Sequence, residues 1–119
     1  MSGERDLSRL LATLDPRLHV ERYGFIATSE PSLEDGDFAI VREAEGMTLI
    51  RADSAGAWAC VSLGVHSSLE TVGLTAILSA RLAEAGISAN IVAALNHDHI
   101  FVPWDRRGEA LACLRSTSV

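Results

Sequence analysis

The sequence predicts an α+β domain, and three features of its second half carry that prediction. From Trp58 to Val65 the side chains alternate, with Ala59, Val61, Leu63 and Val65 on one face and Cys60, Ser62 and Gly64 on the other, the two-residue period of a strand. Leu74, Ile77, Leu78, Leu82 and Ala85 then recur at helical spacing and stop at Gly86. Two further apolar segments, 88–95 and 99–102, are joined by Asn96-His97-Asp98. Strand, polar turn, helix, strand, tight turn, strand is half of a split βαβ plan.

Size and charge narrow the functions open to the chain. With 119 residues it forms one domain or two very small modules sharing a core. An apolar fraction of 48% supports a packed interior. The net charge of −6 argues against nucleic acid, whose binders carry a basic face, and against an anionic membrane surface. No apolar run approaches the roughly 18 residues of a membrane helix. The start, Met1-Ser2-Gly3-Glu4-Arg5-Asp6, lacks the layout of a secretory leader, so the expected compartment is the cytoplasm. Cys60 and Cys113 sit among apolar neighbours without CxxC spacing and read as two buried thiols.

The first half is read with the same rules. Leu7, Leu10, Leu11 and Leu14 predict an amphipathic helix over 4–14, ended by Asp15-Pro16. Partial alternation over 18–28 predicts a strand. Residues 29–37 form an acidic loop without the ligand spacing of an EF-hand, so a solvated loop is expected. Segments 38–42 and 47–50 flank Glu43-Ala44-Glu45-Gly46 as a β-hairpin. In the second half, Ser67 and Glu70 have capping-box spacing, and Gly73 leaves the helix start open. Ala89, Ile91, Ala93 and Leu95 are the expected inward face of the next strand. Asp105 is a candidate N-cap for a last helix facing inward with Leu111 and Leu114. The tail 115–119 is too short and polar for a final strand, so the N-terminal half is expected to supply strands that close the sheet.

Three constellations bear on chemistry. The turn His66-Ser67-Ser68-Leu69-Glu70 leading to Gly73 presents backbone N–H groups at a helix N-terminus, suited to a carboxylate or phosphate; plain helix capping is the competing reading. Asn96-His97-Asp98-His99, with His66 as companion, offers an acid–base or metal set, but alternation points Asp98 away from His97 and His99. Three convergent metal ligands do not follow, and a polar turn facing a ligand is the better account. Ser67 or Ser68 as a nucleophile lacks the G-x-S-x-G elbow.

The span from Val61 to Val102, with Val65-His66-Ser67-Ser68-Leu69-Glu70, Val72-Gly73-Leu74-Thr75-Ala76, Leu82 to Ala93 and His97-Asp98-His99-Ile100-Phe101-Val102, resembles an ACT domain. More specifically it is similar to small bacterial proteins of paired ACT-like modules, related in architecture to the CASTOR arginine sensors and the regulatory domains of aspartate kinases. Phe38 to Ile50 resembles the first module. The resemblance implies a ferredoxin-like (βαββαβ) ACT fold of two intertwined modules, 1–57 and 58–119. It implies a non-enzymatic regulatory protein that binds a small molecule, expected to be an amino acid, and forms a homodimer. The implied ligand residues are His66, Ser67, Ser68, Leu69, Glu70, Val72 and Gly73 of the turn, Asn90 of the neighbouring strand, and Asn96, His97 and Asp98. Gly73 occupies the family's glycine position, while the usual Asp-x-Pro-Gly turn is replaced by Ser-Leu-Glu-Thr-Val before it.

The expected function is therefore amino-acid-dependent regulation through a module or dimer interface, with a regulated protein as a further partner. No cofactor, resident metal, nucleic acid or membrane is expected. The rivals are a small metal-assisted or acid–base enzyme using His66, His97, Asp98 and His99, and a structural protein-interaction module.

Overall fold

The computed structural model describes residues 3–4, 6–29 and 32–116. Its elements, in chain order, are α1 (Leu7–Ala12), β1 (Pro16–Leu18), β2 (Tyr23–Thr28), β3 (Asp37–Glu43), β4 (Gly46–Ala52), β5 (Trp58–Leu63), α2 (Leu74–Glu84), β6 (Asn90–Ala93), β7 (Asp98–Pro103), a 3-10 turn (Trp104–Arg106) and α3 (Arg107–Arg115). The strands form one sheet in the order β3-β4-β2-β5-β7-β6, and β1 also pairs with β5. These strand pairings are all antiparallel.

The second half supplies β5, α2, β6, β7 and α3, one strand short of a βαββαβ unit. The N-terminal half fills the gap, as expected. Along β5, Leu63, Ser62 and Val61 pair with Pro16, Arg17 and Leu18, and Trp58 pairs with Tyr23. Both modules thus share one sheet. Alternation decides which side each residue serves. Ala59, Val61 and Leu63 of β5 and Ile100 and Val102 of β7 pack with Leu10, Leu11, Leu78, Leu82 and Leu114 in an aliphatic core under the helices. Cys60 and Phe101 face the opposite side and pack with Tyr23, Ile50 and Phe38.

Several boundaries differ from the sequence expectations. The first helix starts only at Leu7, because the Asp6 carboxylate accepts from the Arg9 N–H as its N-cap. The predicted strand over 18–28 is broken between β1 and β2, where Val20 is 88% exposed. There the Arg22 guanidinium donates to the Gly56 carbonyl at 2.8 Å and lies over the Trp104 ring, 4.7 Å from its centroid. The acidic loop is not wholly solvated: Asp37 has a side chain only 1% exposed, held by Arg51 at 3.0 Å. β6 ends at Ala93, so Ala93 and Leu95 are exposed rather than inward, Leu95 by 63%. Asp105 caps nothing; it lies inside the 3-10 turn, and α3 begins after Arg106 without a side-chain cap. Leu114 is buried, as predicted, with Leu111 packed beside it. Cys60 is buried, whereas Cys113 is partly exposed.

The core assignment gives a direct test. Leu78 is fully buried against the sheet and Val72 is 86% exposed. Leu78→Ala should destabilise the protein by about 2–5 kcal/mol in urea denaturation. Val72→Ala should stay within about 0.5 kcal/mol of the parent.

Candidate functional site

The turn between β5 and α2 is tied down by chain that lies far away in sequence. Glu4 runs alongside it, its N–H donating to the His66 carbonyl and its carbonyl accepting from the Ser68 N–H, both at 2.9 Å. The Thr71 hydroxyl also donates to the Glu4 carbonyl, at 3.1 Å. The approach is so close that a Cβ on Gly3 would stand 2.6 Å from the His66 carbonyl oxygen.

The capping box expected from Ser67 and Glu70 does not form. Gly73, at φ 97°, provides the N-cap, and α2 starts at Leu74 without a side-chain cap. Positive φ is inexpensive for glycine and costs other residues, which is why the helix starts there. The Ser68 hydroxyl accepts locally from the Glu70 N–H at 3.1 Å. Ser67 is used differently: its hydroxyl donates to the Asp98 carboxylate at 2.9 Å. Asp98 is a strand residue of β7 rather than part of the preceding turn, and it is only 6% exposed.

These groups border a cavity of about 130 Å³, lined by Ser67, Ser68, Leu69, Thr71, Leu74, Thr75, Ala93 and Asp98. Of the residues singled out from sequence, Ser67, Ser68, Leu69 and Asp98 meet there, with Gly73 just before the helix that forms one wall. Glu70 and Val72 lie on the exposed side of the turn, and Asn96 is exposed on the β6–β7 turn. Asn90 is at the far end of β6, paired with Phe101, whereas Ala93 pairs with Asp98. His66 and His97 brace the two turns: His66 Nε2 is 3.2 Å from the Leu95 carbonyl, and His97 Nδ1 is 3.2 Å from that of Val65. Thr71, Thr75 and Ala93 were missed. The helical stripe points Thr75 away from the core, and nothing local in the sequence marks the end of β6.

His99 belongs elsewhere. It follows Asp98 on β7 and faces the opposite side of the sheet, where its ring stands edge-on to Phe38 at 4.9 Å. The proposed histidine–aspartate enzyme set therefore does not assemble around one point. On that face the Ser62 hydroxyl lies 2.6 Å from both His99 Nδ1 and His19 Nε2, and His19 Nδ1 is 2.9 Å from the Tyr23 hydroxyl. Burial pushes His99 below the usual histidine range, helped by His19 and His97 and opposed by Asp98. Burial, with Glu21 and Cys60, raises the Tyr23 hydroxyl to about 12; burial also raises the Cys60 thiol to about 12, opposed by Ser62.

Comparison with known proteins places this architecture. ACT-domain family models match residues 2–58 and, in tandem, residues 53–116. The chain belongs to the ACT-domain family. Its ferredoxin-like sheet and tandem modules are those of a small two-module ACT protein, and ACT domains are typically regulatory and ligand-binding. A solved Vibrio cholerae protein of unknown function, described as a possible transport protein, is 38% identical, with 90% of this chain and 92% of that one covered and a TM-score of 0.75. An Agrobacterium tumefaciens protein shares the fold at 18% identity, with 87% and 88% covered and a TM-score of 0.68. No functionally curated protein matches the chain.

The local geometry predicts two stability effects. Ser67→Ala removes a hydroxyl donor from the buried Asp98 carboxylate and should cost about 1–3 kcal/mol. Gly73→Ala forces a β-carbon into positive φ and should cost about 1–2 kcal/mol. Thermal and urea denaturation would check both; a silent Ser67→Ala would detach Asp98 from the turn.

Proposed function

We propose that this ACT protein is a non-enzymatic regulator that binds an amino acid at the turn between β5 and α2. The observation that carries the reading is the buried Asp98 carboxylate beside the N-terminus of α2. A zwitterion needs opposite partners, and the Asp98 carboxylate and the first residues of α2 border one cavity, which supports the reading. The Asp98 carboxylate accepts from Ser67 and lines the cavity, where its negative charge suits an ammonium. The N-terminal turn of α2 contains no acidic residue and no side-chain cap, which suits an α-carboxylate. Leu69, Leu74 and Ala93 give the walls an apolar part for a side chain. At about 130 Å³ the space favours a small amino acid, or a larger one that reaches out of the mouth.

A wider trough of about 820 Å³ lies at the end of the β3–β4 hairpin, lined by Ala27, Thr28, Ser29, Glu43, Glu45, Gly46, Met47 and Thr48. Its ionisable groups are both carboxylates, and the Thr48 hydroxyl already donates to Glu43. No helix N-terminus borders it to receive an α-carboxylate, as that of α2 borders the smaller polar cavity, which is preferred.

Regulation follows if the ligand binds one assembly better than another, since only differential affinity shifts an equilibrium. The module or homodimer interface is the element to be shifted, and a regulated protein is the recipient. The cytoplasm is the compartment that fits this role.

A thermal-shift screen of the twenty amino acids, followed by calorimetry, tests the reading. A binder at about 100 times its Kd should add roughly 2.7 kcal/mol of apparent stability. Asp98→Asn should weaken that binder by about 10- to 150-fold, the range for a hydrogen bond to a charged group. A flat screen, or a binder indifferent to Asp98→Asn, contradicts it. Sedimentation with and without the binder then reports the change in assembly.

A further inference from the structure

On the face of the sheet away from the helices, three donor atoms of metal-binding type converge. A nitrogen from each of His19 and His99 and the Cys60 sulfur all lie within 4.8 Å of one another. The register of the sheet places them. His19 follows β1, and its N–H donates to the Cys60 carbonyl at 2.9 Å. His99 is the β7 partner of Ser62, two residues beyond Cys60 on the same face of β5.

Without a cation the cluster closes as a hydrogen-bonded chain, Tyr23–His19–Ser62–His99. Such networks are an ordinary way to bury polar groups. Two features go further. A thiol stands on the same face with a long 3.9 Å contact to the Ser62 hydroxyl, adding a soft donor to two imidazoles. Both rings are also held from outside, His19 by the Tyr23 hydroxyl at 2.9 Å and His99 by the Phe38 ring. Metal-binding histidines are usually oriented by a hydrogen bond from the other ring nitrogen, as the Tyr23 contact gives His19.

We propose that His19 Nε2, His99 Nδ1 and the Cys60 sulfur form a site for a borderline transition-metal cation of the Zn2+ class. Imidazole and thiolate favour such a cation over magnesium or calcium. Bond lengths of about 2.0–2.1 Å to nitrogen and 2.3 Å to sulfur put donors about 3.3–3.6 Å apart in a tetrahedral site. From the 4.8 Å limit the triad closes by at most about 1.2–1.5 Å to reach that spacing, and the Ser62 hydroxyl turns aside about its Cα–Cβ bond. On binding, the Cys60 S–H bond breaks, its proton leaves to solvent, and a sulfur–metal bond forms; both imidazoles coordinate through neutral lone pairs. Three protein ligands leave the fourth position for water or a small ligand. The site departs from the sequence expectation of no metal, and it stands independently of the amino-acid cavity.

The test is equilibrium dialysis of the full chain against Zn2+ with elemental analysis, paired with a Co2+ titration followed by absorbance. One metal per chain is expected, with a thiolate-to-cobalt charge-transfer band that Zn2+ abolishes. Cys60→Ser should remove the band, while Cys113→Ser should keep it. His19→Gln and His99→Gln should each weaken binding by more than the roughly 10–100-fold of an outer-shell loss, and Tyr23→Phe should fall within that range. Circular dichroism checks that each variant folds. If Cys60→Ser does not fold, protection of Cys60 from alkylation by Zn2+ in the parent, with Cys113 as internal reference, decides instead. Absence of the band in the parent, or binding lost in His66→Gln but kept in His19→Gln, overturns the proposal.

Discussion

The antiparallel pairing of β5 with β7 is the constraint on which the rest of this protein depends. Both strands lie inside the sheet, with β1 and β2 on one side and β6 on the other, so neither has a free edge. Every residue on them is committed to one of two faces, and neighbours in sequence are committed oppositely. Ile100 and Val102 complete the aliphatic core beneath the helices, while Phe101 joins the aromatic layer of the other face. Slipping the register by one residue would exchange these sets, moving a histidine beneath the helices and Asp98 among the aromatic rings. Burial of that much apolar surface therefore also fixes where the polar chemistry sits.

Asp98 and His99 show the consequence most clearly. They are consecutive, yet Asp98 meets Ser67 at the mouth of the helical layer and His99 meets Ser62 on the opposite face. Each of these polar side chains is satisfied by a hydroxyl from the β5 segment or the turn after it, which keeps the cost of burying it down. The protein thus carries two separate polar centres on one pair of strands. We read the first as the site of a zwitterion and the second as that of a transition-metal cation.

Much of the second module was legible in the sequence because its signals are local. Alternation from Trp58 to Leu63, the helical stripe from Leu74 to Leu82 and the stop at Gly86 each depend on neighbours a few residues apart. The misreadings arise where a distant partner outbids a near one. Ser67 has the spacing of a cap, but its hydroxyl goes to Asp98, 31 residues away. Gly73 could be recognised as a special position, whereas its left-handed conformation, which delays the helix, could not. Val20 has strand propensity but stands outside the ladder at the step between β1 and β2. His19 escaped notice because nothing in its own segment points to chemistry; its relation to Cys60 and His99 exists only once β1 is placed against β5. The contact of Glu4 with the turn likewise needs the folded topology.

The central claim is that the turn between β5 and α2, with Asp98, is where this ACT protein meets its amino-acid ligand. Backbone amide shifts, followed by heteronuclear NMR as the strongest ligand from a screen is added, test it most directly. The account predicts the largest saturable changes at Ser67, Ser68, Leu74, Thr75 and Asp98, with Ala27, Gly46 and Met47 unmoved. Changes centred on the hairpin trough instead, with the turn silent, would contradict it.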